Sequence, residues 1–440
     1  MQKQKTLAKW LAIILLCSVA VGSYVLYDAL YIKKQDDQAN ADNQNGNTTD
    51  NVQVEDDHIP YYTILPRATE NIDGVGVSHF GGEDDDHLLD VINFGKKRFA
   101  VFSSNSVEFD MRQKGLSVAI IDDSIEGVYH IDENCTYIDG KMSSNGVALL
   151  TKNTNGGSLY FVNVNGAITA QIPFGKFDDG ALYLSEQKLL LFIISNGYLH
   201  SYTINDDLTI SKSPFISRTT HSNIVDVFDT AGGQGIVTDN FNNTEICLFS
   251  QNTGFNIAFR QDKLLFKQII TAGTLNDNNY IIYGILDGTP WLYGFDIDFN
   301  MTSSKAVENV LDGVILPYQD GFLFVGNGTT KSYCKHLDTV MSTTNNLSFQ
   351  KIQFYSYGSD KILAVAEDNL DKVLIYVDRD FVKAKTLDFG GEIVAVSLSK
   401  NNFSLCLNST STTGFFRANF GKTDPFILDF ALSYFAENRL

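Results

Sequence analysis

Apolar residues in this chain come in short runs separated by polar clusters of Gly, Ser, Asp, Asn and Lys, and the alternation continues almost to the C-terminus. The stretch IQFYSYGSDKILAVAEDNLDKVLIYVDRDFVKAKTLDF, beginning at Ile352, shows it most plainly. It predicts four strands, Ile352–Tyr357, Ile362–Ala366, Val373–Val377 and Phe381–Leu387, each rich in β-branched or aromatic residues and each closed by a turn. A lone four-stranded meander has two apolar faces and cannot bury both by itself. It needs copies of itself as neighbours.

The copies are present. Second strands recur as RFAVF, VALLT, LLLFI, GIVTD, YIIYG, GFLFV, ILAVA and FSLCL. Taking Ala100, Leu149, Leu190, Ile236, Ile281, Phe322, Leu363 and Ser404 as anchors, the gaps are 49, 41, 46, 45, 41, 41 and 41 residues. Third strands follow on schedule as SLYFVNV, YLHSYTI, EICLFS, WLYGFDI, KSYCKHL, VLIYV and GFFRANF. Four strands per period of about 40–45 residues is the mark of a β-propeller blade. The expected fold is therefore all-β, an eight-bladed propeller over residues 90–430, with seven blades the alternative. PFILDF, near the C-terminus, reads as the outer strand of the last blade.

The N-terminal end breaks the pattern. Lys3, Lys5 and Lys9 precede an uncharged run, WLAIILLCSVAVGSYVLY, from Trp10 to Tyr27. At 1.5 Å per residue it would span about 27 Å, enough to cross a bilayer core. Residues 10–32 are expected to be an uncleaved transmembrane anchor, with 1–9 cytoplasmic and the remainder outside the cell. A cleaved signal peptide ending near Ala20 is the competing reading. Residues 35–57, rich in Asn and Asp with nothing to bury, predict a disordered tether of about 25–29 Å root-mean-square span. Residues 58–89 are a lead-in, in which Tyr61–Leu65 is a candidate closing strand and Glu83–His87 an acidic, solvated loop. Residues 431–440 form a tail.

Charge narrows the partners. The formal net charge is −19, and the five lysines and one aspartate up to Lys34 leave −23 on the rest. Such a surface repels phosphate backbones, which excludes nucleic acid. Five cysteines, Cys17, Cys135, Cys247, Cys334 and Cys406, are spread too thinly for a disulfide framework. Only Cys135 and Cys406 could approach, across a closing ring, and free buried thiols are expected.

Catalytic templates fail: G-x-S-x-G, H-E-x-x-H and the P-loop are missing, and Gly74-Val75-Gly76 lacks the third glycine of a dinucleotide fingerprint. The seven histidines have no metal-ligand spacing, and no cofactor is implied. Asp296, Asp298 and Asn300 match only the opening of a calcium loop, because Met301 replaces the glycine. What remains are departures from the repeat. Ser103–Gly115 lengthens one loop of the first blade and carries Phe109, Arg112 and Lys114. SRTTHSN leads from blade three to four and carries Arg218 and His221. LDGTPW of blade five carries Trp291, the one tryptophan beyond the anchor. Second-to-third-strand loops and blade-to-blade loops emerge on one face of a propeller. These six residues are thus the candidate binding set.

The repeat resembles β-propellers as a class, without the Trp-Asp ends of WD40 blades, the tryptophans of quinoprotein dehydrogenases, the Asp boxes of sialidases or the glycine pairs of kelch blades. The layout of basic start, anchor, tether and propeller is similar to uncharacterised membrane-anchored propellers of Gram-positive bacteria and, in outline, to envelope-assembly scaffolds. The anchor, the tether and a repeat without catalytic signatures point to a non-catalytic scaffold on the outer face of a bacterial membrane, binding another envelope protein or a cell-wall polymer. Two alternatives stand beside it: a glycan-active hydrolase or lyase using Asp carboxylates on the same face, and a sensor head.

Overall fold

The computed structural model describes residues 67–435, apart from short segments at 107–114, 186–187, 206–207, 212–214, 241–242, 273–278, 308–312, 319–320, 327–328, 335, 345–350, 358–360, 369–370, 379–380, 388–390, 400 and 418–419. The anchor, the tether and Tyr61–Leu65 lie outside the described residues. Among the described residues no helix is long and apolar enough to cross a membrane.

The described residues fold into eight antiparallel sheets. Seven are four-stranded meanders in chain order, over residues 86–132, 136–174, 179–220, 223–262, 264–306, 313–344 and 351–387. The strands expected in the seventh sheet are Lys351–Tyr357, Lys361–Asp368, Asp371–Asp378 and Phe381–Leu387. All eight anchors fall in the second strand of their sheet.

The reason is visible in the burial. Second strands such as Gly146–Lys152 and Lys188–Ser195 are buried on both faces, and alternate residues serve opposite neighbours. Leu149 joins a core with Val101 and Val118 of the first sheet. Ala148 and Leu150 join one with Leu191 and Ile193 of the third. Continued round the molecule, this alternation builds eight such cores for eight sheets. An open stack of eight would have one fewer. The eighth core, shared by Phe102 and Ala119 with Cys406 and Ile427, joins the last sheet to the first.

The last sheet differs from expectation. Its strands Glu392–Leu398, Asn402–Ser409 and Asp424–Ala431 come from the C-terminal end. Val75–Phe80 and Arg67–Ile72 then add from the other end of the chain. PFILDF is thus a third strand, and the N-terminal hairpin supplies the outer ones. The start of GFFRANF is not a strand: Gly414, at φ +61°, opens a short 3-10 helix, Gly414–Phe416. Its aromatic rings cap the sheet instead, Phe416 edge-on to Phe426 at 4.8 Å and Phe415 edge-on to Phe430 at 6.1 Å. Gly74-Val75-Gly76 is the bend and start of the closing hairpin: Asp73 and Gly74 both take positive φ, as a tight two-residue turn requires.

The acidic run Glu83–His87 is not a solvated loop. Asp86 is fully buried, and its Oδ2 accepts Gly82 N–H at 2.6 Å and Ser106 O–H at 3.0 Å. Asp84 pairs with Lys422 at 2.9 Å and Asp85 accepts from Thr423 at 2.8 Å, so the run clasps the join between the two ends.

Cys135, Cys247 and Cys406 are free. Cys135 packs between the first and second sheets and Cys406 between the eighth and first, so they do not bridge.

Candidate functional site

The first strands carry a repeated device. In the first, second and fourth sheets a β-bulge interrupts the pairing just before Asp90, Asp139 and Asp226. A bulge turns the next side chain away from its regular direction. Each carboxylate then accepts the N–H of the following residue, Val91, Gly140 or Val227, at 2.7 to 2.8 Å. The second oxygen reaches the next sheet: Asp90 accepts Tyr137 O–H at 2.5 Å and Asp139 accepts Leu182 N–H at 2.7 Å. Asp179 does the same for Ile224 N–H at 2.7 Å. Amides perform the task elsewhere. Gln268 brackets both backbone groups of Ile315 at 2.7 and 2.9 Å, and Asn408 those of Leu88 at 2.6 and 3.2 Å. Asp90, Asp139 and Asp179 are thereby engaged in joining sheets.

Asp226 departs from this use. Burial lifts its pKa from 3.8 to about 6 against the opposing pull of the Val227 N–H and the Lys141 ammonium. Burial also raises Asp90, against the hydrogen bond from Tyr137.

A pocket of about 690 Å³ opens beside the third, fourth and fifth sheets. Its walls include His221, Asn223, Asp239, Asn243, Lys263 and Leu265. These residues come from the links between successive sheets and from the second-to-third-strand turn of the fourth sheet, the two loop classes expected to share a face. Lys263, at positive φ, also reaches Asp287 of the LDGTPW turn at 3.5 Å, which brings that turn to the same rim. Burial raises the Asp239 pKa despite a hydrogen bond from Thr244.

The expected binding residues divide accordingly. Phe109, Arg112 and Lys114 lie outside the described residues. Arg218 is exposed on Phe215–Thr220, the outermost strand of the third sheet. His221 borders the pocket but is buried, its ring within 3.1 Å of the Ser217, Thr219 and Thr238 hydroxyls. Burial, reinforced by Arg260, lowers its pKa to about 4, so the imidazole is neutral. Trp291 is half-buried, stacked on Tyr293 at 6.1 Å and packed on the core between the fourth and fifth sheets. Asp296 and Asn300 close a turn on each other: Asp296 accepts the Asn300 N–H at 2.8 Å and its side-chain amide at 3.1 Å, while Asp298 is exposed. Those bonds hold the Asp296 carboxyl below its usual range.

Sequence reasoning missed Asn223, Asp239, Asn243 and Lys263. Asn223 stands within SRTTHSN, and the others flank turns that look like ordinary repeat punctuation. It also missed a buried group beneath the pocket. His221, Glu245 and Cys247 bring one donor atom each to within 4.8 Å of one another. Arg260 pairs with Glu245 at 2.6 Å, and burial, with Glu245 beside it, pushes the Cys247 thiol up to about 12.

No known family profile matches the chain, and no curated protein does. Among solved structures it is similar to the Dos1 propeller, at 14% identity over 80% of this chain and 93% of that one, with a TM-score of 0.51. It is also similar to BamB from Moraxella catarrhalis (11% identity, 83% and 100% covered, TM-score 0.46). A third is the dihydro-heme d1 dehydrogenase NirN in complex with DHE (10% identity, 73% and 72% covered, TM-score 0.48). The fold is that of a β-propeller, and at these identities the sequence is a divergent version of it.

Proposed function

We propose that the protein is an eight-bladed propeller, tethered by its N-terminal segment outside a bacterial membrane, that binds a partner protein or cell-wall polymer as a non-catalytic scaffold. The observation that carries this reading is the pocket beside the third, fourth and fifth sheets. It is bordered by hydrogen-bonding groups of both kinds and by the apolar Leu265, on loops held by a rigid array. Eight sheets with eight shared cores support the blade number. The carboxylates of Asp90, Asp139 and Asp179 each have both oxygens engaged, one on the N–H of the following residue and one on the neighbouring sheet, which favours binding over hydrolysis. The basic start, the Trp10–Tyr27 run and the Asn/Asp-rich stretch support the tethered placement.

The test uses the full chain in bacterial membranes, with a C-terminal phosphatase that is active only outside the cytoplasm. Purified cell-wall sacculi and chemical crosslinking report the ligand. Asn223→Ala with Lys263→Glu alters exposed pocket residues and should reduce capture about tenfold or more without changing the melting temperature. Undiminished capture by the double variant, or an inactive phosphatase, removes the proposal.

A second reading, hydrolysis or lysis of glycans, is favoured by Asp226, whose pKa of about 6 suits a general acid. Wild-type protein that releases no reducing ends from cell-wall glycans between about pH 5 and 8 excludes it.

A further inference from the structure

We propose that His221, Glu245 and Cys247 form a binding site for a thiophilic divalent cation, zinc above all, between the third and fourth sheets. His221 immediately follows the last strand of the third sheet, and Glu245 and Cys247 stand two apart on Asn243–Ser250, hence on one face of that strand. All three are buried.

The hydroxyls around the imidazole accommodate the tautomer that a metal at Nδ1 requires. The Ser217 hydroxyl donates its proton to the Thr219 carbonyl at 2.9 Å, and its oxygen already accepts Leu199 N–H at 3.1 Å. With that proton on the Thr219 carbonyl, the Ser217 oxygen accepts from His221 Nε2 at 3.1 Å, where the Thr219 hydroxyl oxygen also lies at 3.1 Å. In that tautomer Nδ1 presents a lone pair, which accepts from the Thr238 hydroxyl at 3.0 Å. Facing it at 3.9 Å is Glu245 Oε2, which is buried with no hydrogen-bond partner among the described residues. The ion pair to Arg260 engages the other oxygen, Oε1.

An imidazole nitrogen and a carboxyl oxygen thus face each other at 3.9 Å, with a thiol as the third group. A cation in the gap resolves this. Nitrogen, oxygen and thiolate sulfur are the donors zinc takes, at about 2.0–2.3 Å each, which requires the three side chains to close inwards by roughly 1 Å. His221 also borders the pocket, and a water would complete a four-coordinate site. Binding takes the Cys247 proton to solvent, one proton for each cation. The Ser217 and Thr219 hydroxyls hold the ring from behind, as outer-shell partners of metal-ligating histidines do. Arg260 is half-exposed and can swing outwards while the site fills.

The full chain is titrated with zinc and with cadmium, whose thiolate complex has a charge-transfer band in the near ultraviolet. One cation per chain and one thiolate band are expected, with one proton released. Cys247→Ser should abolish the band. Glu245→Gln and Ser217→Ala should each weaken zinc about 10- to 100-fold. Circular dichroism checks that each variant is folded. If Cys247→Ser does not fold, the cadmium-113 chemical shift of the wild-type complex decides, because one sulfur with nitrogen and oxygen differs from an all-oxygen surface site. No uptake, uptake with an all-oxygen shift, or equal affinity in a folded Cys247→Ser overturns the proposal.

Discussion

Two junctions between neighbouring sheets treat their polar groups in opposite ways. Where the eighth sheet meets the first, Arg98 grips Asp429 through two bonds of 2.7 and 2.9 Å. Asn408 brackets Leu88 there, and Asp84, Asp85 and Asp86 clasp residues at 82, 106, 422 and 423. Where the third meets the fourth, Glu245 Oε2 faces His221 Nδ1 at 3.9 Å with no hydrogen-bond partner among the described residues, and the Cys247 thiol lies alongside. A buried polar group without a partner costs roughly 1–3 kcal/mol. The first junction joins the ends of the chain, and its bonds are explained by that task. The second lies within a continuous stretch, needs no latch, and opens beside the pocket, so structural need does not account for its polar content.

Removing the latch should have the largest effect. A chain lacking residues 1–80 loses the closing hairpin and exposes an edge of the eighth sheet, together with the site of the fully buried Phe80. Loss of Phe80 alone costs about 3–5 kcal/mol. Cooperative thermal unfolding should be lost, or its midpoint should fall by more than the roughly 4–6 °C that the loss of Phe80 alone produces in a domain of this size. A chain lacking only residues 1–66 keeps the hairpin and should melt as the full chain does. Equal melting of the two truncations would show that the hairpin does not close the array.

The second effect sharpens the contrast from the side of the fourth sheet. Asp226 has a folded pKa of about 6 against an ordinary 3.8, so the folded state holds its proton more tightly than the unfolded chain. The stability linked to that proton is fully present below about pH 3.8 and is lost as pH rises through 6. The difference amounts to about 3 kcal/mol. Asp226→Asn keeps an oxygen for Val227 N–H and removes the buried charge. It should match wild type near pH 4 and exceed it by up to about 3 kcal/mol at pH 8 in denaturant unfolding. A constant difference across that range would mean that Asp226 is solvated.

How far these features can be read from the residues depends on whether they follow the repeat. All eight anchors lie in second strands, because two-sided burial demands an uninterrupted apolar run and such runs are easy to see. GFFRANF has the composition of a third strand, yet Gly414 bends it away and Phe415 and Phe416 satisfy their burial as a cap. Composition does not distinguish these two ways of covering an aromatic ring. The aspartates of the first strands are legible once their bulges are known, since Leu-Asp-Val, Ile-Asp-Gly and Val-Asp-Val recur at the start of the first, second and fourth sheets. The convergence of His221 with Glu245 and Cys247 could not be read, because it depends on the lateral packing of two sheets rather than on spacing along either.

The smallest effect concerns the latch again and asks whether charge or geometry makes it. Arg98 and Asp429 are partly shielded, with side chains 17% and 35% exposed, and Asp429 Oδ1 also accepts the Ser404 hydroxyl at 2.5 Å. Arg98→Ala removes two charge-assisted bonds and should cost about 1.5–3 kcal/mol. Arg98→Lys keeps the charge but cannot span both carboxylate oxygens as the guanidinium fork does. If geometry dominates, lysine should recover less than half of the loss, and added salt should change wild type little. If charge dominates, lysine restores most of it and salt weakens both proteins alike. Denaturant unfolding of the three proteins at low and high salt separates these outcomes. The first is expected, because a join between distant ends of one chain must fix register as well as attract.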